Sequence, residues 1–156
     1  MFNLFLKKKL KKLTKELNFY TMIKRNIWKN IPYPLELNSD PRGSICDIFY
    51  DVSINHTAMI TSNKGAIRGN HFHKKTTQHI LIIKGELEYW YLNSEKKYSK
   101  PKYIILKEGD IVSTPPFEIH ALRILKKNKF IVFSQGLRGG KDYEKDTFRV
   151  NNIIKS

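Results

Sequence analysis

Residues 65–85 read GAIRGNHFHKKTTQHILIIKG, and this stretch decides the fold. On an extended strand, side chains two apart point to the same face, so His71 and His73 project together. A four-residue turn after His73 then returns Gln78 beside them, ahead of the apolar run 80–83 and the turn glycine Gly85. Two imidazoles converging on one point suit either a metal ion or proton transfer. A second stretch, GDIVSTPPFEIH at 109–120, offers a third histidine, His120, after the rigid Pro115-Pro116 turn.

Outward from these segments, the chain from Gly43 onward is a series of short β-rich runs, at 44–50, 55–62, 78–84, 86–91, 102–107, 110–113, 118–125 and 129–134. Asn63-Lys64-Gly65, Lys84-Gly85, Asn93-Ser94, Glu108-Gly109-Asp110 and Lys127-Asn128 divide them. Strands this close together predict an antiparallel sandwich or barrel rather than βαβ units. Upstream, Phe2, Leu6, Leu10, Leu13 and Leu17 recur at helical spacing among lysines, which predicts a basic amphipathic helix over 2–18. Such a helix can touch an anionic membrane surface. The competing reading is a loosely attached extension, an upstream start with Met22 as the natural first residue included. Pro32 and Pro34 then mark a link, dividing the chain into an extension over 1–34 and one folded domain over 35–156.

Composition bounds the function. The chain has 156 residues, 40% apolar and 12% aromatic, enough for one folded domain despite a formal charge of +15. The excess charge is uneven, because Lys7, Lys8, Lys9, Lys11, Lys12, Lys15, Lys24 and Arg25 face Glu16 alone in the first 25 residues. Lysine dominates over arginine, and Ile and Asn are abundant, a pattern that low-GC codon usage produces without nucleic-acid binding. No apolar run reaches the roughly 18 residues of a membrane span, and no signal-peptide core interrupts the N-terminal lysines, so a cytoplasmic protein is expected. The single cysteine, Cys46, lies in an apolar run and reads as a structural thiol in a reducing compartment.

The two histidine segments resemble the paired motifs of the cupin superfamily. Gly65, His71, His73, Gln78 and Gly85 stand at the spacing of the first motif, with Gln in place of its Glu. Gly109, Pro115 and His120 match the second, with Phe117 in place of Gly and Ile124 in place of Asn. The resemblance implies an all-β double-stranded β-helix, the cupin jelly-roll barrel, with the site in its mouth. Asp40-Pro41-Arg42-Gly43 and Arg68-Gly69-Asn70-His71-Phe72 are similar to segments of the dTDP-4-dehydrorhamnose 3,5-epimerases. The pair His71 and His73 with Gln78 also resembles the dTDP-4-keto-6-deoxyhexose 3,4-ketoisomerases. The run 68–73 with Asp146-Thr147-Phe148 resembles the C-terminal cupin of capsular-polysaccharide reductases, which binds zinc. Strand 130–133 holds no tyrosine to match the catalytic one that the epimerases carry further along.

These resemblances imply an isomerase or epimerase acting on a nucleotide-linked 4-keto-6-deoxy sugar in surface-polysaccharide synthesis. Moving a carbonyl or inverting its neighbour needs a base for the adjacent proton and a donor for the enediolate oxygen. His71 and His73 fit those tasks, with an ordinary imidazole pKa of about 6.5 making both protonation states available. Arg68, Arg42 and Arg138 are candidates for the pyrophosphate, Gln78 for a substrate contact, and Tyr89, Trp90 or Tyr91 for stacking on the nucleobase or, alternatively, for sheet surface or a dimer interface. No cofactor is required in this reading. The rivals are a metallocupin holding Zn, Fe or Mn on His71, His73, Gln78 and His120, and a sugar-binding module without turnover. The expected partners are a nucleotide-diphosphate sugar and a second copy in a homodimer through exposed strand edges, with no nucleic acid.

Overall fold

Two unusually long strands organise the molecule. In the computed structural model, which describes residues 21–94, 99–136 and 138–155, the strands are β1 Ile23–Asn26, β2 Leu37–Asp40, β3 Gly43–Cys46, β4 His56–Ser62, β5 Ile67–Phe72, β6 Thr77–Asn93, β7 Lys102–Lys107, β8 Asp110–Thr114, β9 Glu118–Gln135 and β10 Phe148–Arg149. A 3-10 segment, Gly140–Asp146, precedes the last. The main sheet runs β1-β8-β6-β9-β5-β10, with β4 also on β9 and β7 also on β6, while β2 and β3 form a separate hairpin. All pairs are antiparallel. This is the all-β jelly-roll barrel that the cupin resemblance implies.

β6 and β9 pair along nearly their whole lengths, yet each half has a different second neighbour. Residues 78–81 of β6 pair with β8 and 86–91 with β7; in β9, 120–123 pair with β5 and 128–134 with β4. Gly85 and Lys127-Asn128, which divide strands in the sequence reading, are therefore bends inside continuous strands. The ladder shifts register between Ile82 and Leu87. Gly85 has φ +94, and a Cβ there would stand 2.6 Å from the Lys127 carbonyl oxygen. Only glycine lets the two bent strands approach so closely.

Strand alternation sorts the side chains. Ile80, Ile82, Leu87, Tyr89, Val112, Leu122, Ile124, Phe130 and Val132 fill the barrel, each nearly or fully inaccessible. Burying one such side chain is worth roughly 1.5–3 kcal/mol. The opposite faces are covered by other parts of the chain: Val150, Ile153 and Ile154 pack on Trp90 and Ile119, and Cys46, Ile48 and Phe49 pack with Ile27, Leu81 and Ile111. Cys46 is a free, half-buried thiol in that second layer.

β1 pairs with β8, from Ile23 opposite Ser113 to Asn26 opposite Asp110. The barrel thus reaches upstream of Pro32 and Pro34, because unpaired edge groups on β8 and an apolar slot for Ile27 make this segment part of the sheet. The helix predicted over 2–18 lies outside the described residues. No helix of the described residues is long and apolar enough to cross a membrane.

Candidate active site

A β-bulge in β5 builds the site. Gly69 pairs with Ala121 and His71 with His120, so Gly69-Asn70 together oppose a single step of β9. Both bulge residues have left-handed backbone, φ +84 at Gly69 and +54 at Asn70. Without the extra residue, Arg68 and His71 would point to opposite faces; with it, they sit opposite Leu122 and His120, on one interior face. The bulge is held from outside, since the Val150 N–H donates to the Asn70 carbonyl at 2.9 Å and the Ile153 N–H to Asn70 Oδ1 at 3.0 Å.

His71, His73 and His120 are all buried, and their candidate ligand atoms lie within 4.8 Å of one another. Each ring is braced by a main-chain carbonyl: His73 Nδ1 by Asp146 at 2.5 Å, His120 Nδ1 by Glu118 at 3.2 Å, and His71 by Gly69. A carbonyl only accepts, so the braced nitrogen carries the proton and Nε2 carries the lone pair. His71 Nε2 and His73 Nε2 are buried without a protein partner. The arrangement presents imidazole lone pairs to one small cavity.

That cavity, of about 150 Å³, is walled by Gln78, Arg68, Arg138 and Tyr143 around His71 and His120, with His73 beside them outside its lining, over an apolar floor that includes Ile80 and Phe130. The Gln78 carboxamide nitrogen is buried and unpartnered, a donor on the wall of the cavity that His71 and His120 also line. Arg138 lies with its guanidinium over the Tyr143 ring, 5.2 Å from the centroid. Tyr89 stacks parallel to His120 at 6.1 Å and bonds Thr114 Oγ1 through its hydroxyl. Phe117 occupies the motif's glycine position with φ +64. Its N–H donates to the His73 carbonyl at 2.7 Å and its carbonyl accepts from the Ser94 N–H at 2.9 Å, which ties the turn before His120 to the turn after His73.

The imidazoles are neutral in this setting. Burial pushes the His71 imidazolium down to about 3, with His73, Arg138 and Arg149 acting in the same direction. Burial likewise lowers His73, against the upward pull of its bond to Asp146. His120 falls well below its ordinary value through burial and its two histidine neighbours. The rings are held below the ordinary imidazole value because three of them are buried together near a guanidinium. Burial also pushes Glu118 up to about 7, against the opposing bonds from Met22, Thr21 and Tyr89.

The structure brings together His71, His73, Gln78, His120, Arg68 and Arg138, but not Arg42. Arg68 donates from Nε to Ser62 Oγ at 2.7 Å and from Nη2 to the Thr61 carbonyl at 3.0 Å, so part of its fork is engaged by β4. Arg42 sits on the exposed β2–β3 hairpin, paired with Asp40 at 2.6 Å and bordering a different surface hollow. His79 points to the outer face, as alternation requires, bonded to Ser113 Oγ at 2.7 Å and packed on Phe49. Tyr89 and Trp90 are buried, not the exposed sheet surface that their charged sequence neighbours suggest. Tyr143 is the residue missed in sequence: it lies on the 3-10 segment, where no strand alternation marks it as inward.

Residues 38–147 match the model of the polysaccharide biosynthesis C-terminal domain. The chain belongs to that family. A 61-residue stretch is 30% identical to the UDP-2-acetamido-2,6-beta-L-arabino-hexul-4-ose reductase of Pseudomonas aeruginosa, taking in 39% of this chain and 16% of that protein. The chain thus spans less than a fifth of that reductase. Among solved structures, a 3,4-ketoisomerase from Helicobacter canadensis superposes with a TM-score of 0.64 at 18% identity, over 83% of this chain and 90% of that one. A sugar 3,4-ketoisomerase from Thermoanaerobacterium thermosaccharolyticum, solved with TDP, gives 0.63 at 18% identity, over 84% and 89%. The dTDP-4-dehydrorhamnose 3,5-epimerase of Sulfolobus tokodaii gives 0.57 at 18%, over 76% and 78%. This family member has the cupin fold that those isomerases and epimerases share.

Proposed function

We propose that the protein isomerises or epimerises a nucleotide-linked 4-keto-6-deoxy sugar for surface-polysaccharide synthesis, by proton transfer at the carbon beside the carbonyl. The observation that carries this reading is the cluster of His71, His73 and His120, whose candidate ligand nitrogens lie within 4.8 Å of one another, beside a cavity that His71 and His120 line together with Gln78 and Arg138. His71 takes the proton from the carbon beside the carbonyl and, as the imidazolium, returns it to a carbon of the enediolate. In a ketoisomerisation His73, through its Nε2 lone pair, accepts the proton of the neighbouring hydroxyl and passes it to the former carbonyl oxygen. The Gln78 amide N–H donates to the enediolate oxygen, and Arg138 pairs with the diphosphate. The fold shared with nucleotide-sugar ketoisomerases and epimerases supports the same reading.

A base whose conjugate acid titrates near 3 is weak in the free protein. It strengthens as the reaction proceeds, because the anion it creates lies beside the imidazolium that it becomes. At 4 Å and an effective dielectric of 20, that attraction is about 4 kcal/mol, equivalent to about three pH units. The diphosphate adds to it by offsetting Arg138. The interaction is absent from the ground state, so it lowers the barrier rather than tightening binding.

The test is deuterium incorporation from D₂O into 4-keto-6-deoxy sugars linked to dTDP or UDP, followed by mass spectrometry and NMR. Exchange beside the carbonyl, or a new keto isomer, is expected, and His71→Ala abolishes it while the thermal melt persists. No exchange across these sugars refutes the reading, and retained exchange in His71→Ala removes His71 as the base.

The second reading, a metallocupin, is favoured by the carbonyl braces on the histidines, which leave lone pairs of the kind that metal-bound imidazoles present. The donor set fits zinc, iron or manganese in kind: His71, His73 and His120 would hold the ion, with Gln78 as a neutral fourth donor. Such an ion would supply Lewis-acid polarisation of a substrate oxygen. Metal analysis of protein purified without chelator, alongside exchange activity, separates the two readings.

A further inference from the structure

One residue outside the cavity holds both the ring of His73 and the turn that follows it. Asp146 closes the 3-10 segment that carries Tyr143, and it is buried, 6% exposed. Its carboxylate accepts from the Lys74 N–H at 2.9 Å, the Lys75 N–H at 3.2 and 3.3 Å, the Thr76 N–H at 2.9 Å and the Thr76 hydroxyl at 2.7 Å. Its main-chain carbonyl accepts the His73 Nδ1 proton. Three successive N–H groups and a hydroxyl thus wrap one carboxylate, and the bonds to Thr76, Lys74 and Lys75 hold its pKa below the usual value even though burial pushes it up.

We infer that Asp146 is a positioning residue: through the turn it clamps and the ring it braces, it fixes the tautomer of His73 and the direction of its Nε2 lone pair. The inference rests on the proposed role of His73 in proton transfer. A connection of residues 73–76 between two strands does not of itself require a buried carboxylate from 70 residues downstream. What the carboxylate adds is a fixed distance between two walls of the cavity. On one side stands His71, on the strand that runs into His73; on the other stand Arg138 and Tyr143, the latter on the segment that Asp146 ends. The Thr147 hydroxyl donates to the Tyr143 carbonyl at 2.6 Å, and Phe148 and Arg149 pair with Phe72 and His71, so the clamp is continuous with the strand that bears the histidines. Gly136 closes the same corner, where a Cβ would stand 2.6 Å from Thr76 Oγ1.

The test uses the full chain with ¹⁵N-labelled histidine, in wild-type, Asp146→Ala and Asp146→Asn forms. Two-bond ¹H–¹⁵N spectra report the tautomer of each ring, with His73 assigned by His73→Gln. Wild-type His73 is expected wholly as the Nδ1–H tautomer, and Asp146→Ala is expected to convert it to a mixture. Asp146→Asn keeps one acceptor oxygen but turns an N–H₂ toward the donors, so it is expected to show a smaller conversion and covers the case in which the alanine variant does not fold. In the exchange assay both variants lose kcat by about 10²-fold with KM little changed, as expected when a reacting group is displaced by about 1 Å. A purely structural Asp146 would lower the melting temperature and leave the His73 tautomer alone, and that result in either folded variant overturns the inference. The tautomer readout needs no turnover, so a chain that exchanges no sugar would overturn the proposed reaction while the spectra still decide the role of Asp146.

Discussion

Gly69→Ala tests the architecture of the site at its tightest point. A Cβ on Gly69 would stand 2.7 Å from the His120 carbonyl oxygen and 3.0 Å from Ala121 Cα, both main-chain atoms of β9. Neither can rotate away, so β5 must move outward by at least about 0.7 Å to restore an ordinary contact. Holding a non-glycine residue at φ +84 adds about 1–2 kcal/mol, and overpacking against a fixed strand adds about 1–3 kcal/mol. A total near 3 kcal/mol corresponds to a fall in Tm of about 6–12 °C for a chain of this size. The displaced register pair is His71 opposite His120, so the histidines separate as the strand moves. Exchange beside the carbonyl should drop by about 10²-fold. Thermal denaturation and the D₂O assay, run on one preparation, read both effects. A variant with wild-type Tm and wild-type exchange would refute the claim that the bulge sets the spacing of the histidines.

Three further outcomes follow from the same geometry. Stability should fall from pH 7 to pH 5: the folded state holds His71 at about 3 and His79 at about 4 against 6.5, and holds His73 and His120 low as well, so the unfolded chain binds more protons below about 6.5. Glu118, raised from 4.5 to about 7, works the other way between those values, but it is one group against four, and a urea midpoint unchanged or higher at pH 5 would contradict the assignment. Arg138→Gln should raise KM for the sugar nucleotide roughly 10- to 100-fold, the size of a lost charge-assisted bond, and should shift the acidic limb of the pH profile upward by removing a cation that depresses His71; an unchanged KM removes Arg138 from the diphosphate. Arg42→Ala should leave the melting temperature within about 2 °C, because its partner Asp40 is equally a surface group and exposed pairs contribute little; a larger loss would show that the hairpin is tied to the barrel through Arg42.

Much of the site was legible because it obeys short-range rules. His71 and His73 stand two apart at a strand end, and a turn of the right length returns Gln78, so spacing alone brings those three together. Arg68 was found by motif resemblance, and the bulge that turns it inward is visible in sequence only as Gly69-Asn70. Arg42 shows the limit of that route: its motif matches, yet the residue sits on a separate hairpin away from the histidines. Tyr143 is invisible as a site residue, and Asp146 enters only through the Asp146-Thr147-Phe148 resemblance with no role attached, because both roles depend on where a 3-10 segment docks, which no periodicity encodes.

The sequence by itself determined an antiparallel all-β domain, through short strands and turn residues, its motif resemblance implied the barrel, and its spacing determined that His71 and His73 share a face. The tertiary structure alone decided their chemistry. Burial beside Arg138 holds the rings neutral, and carbonyls from Gly69, Glu118 and Asp146 choose which nitrogen keeps the proton. The physical reason is that alternation is a property of neighbouring residues, whereas desolvation and tautomer choice depend on groups as far as 73 residues away along the chain.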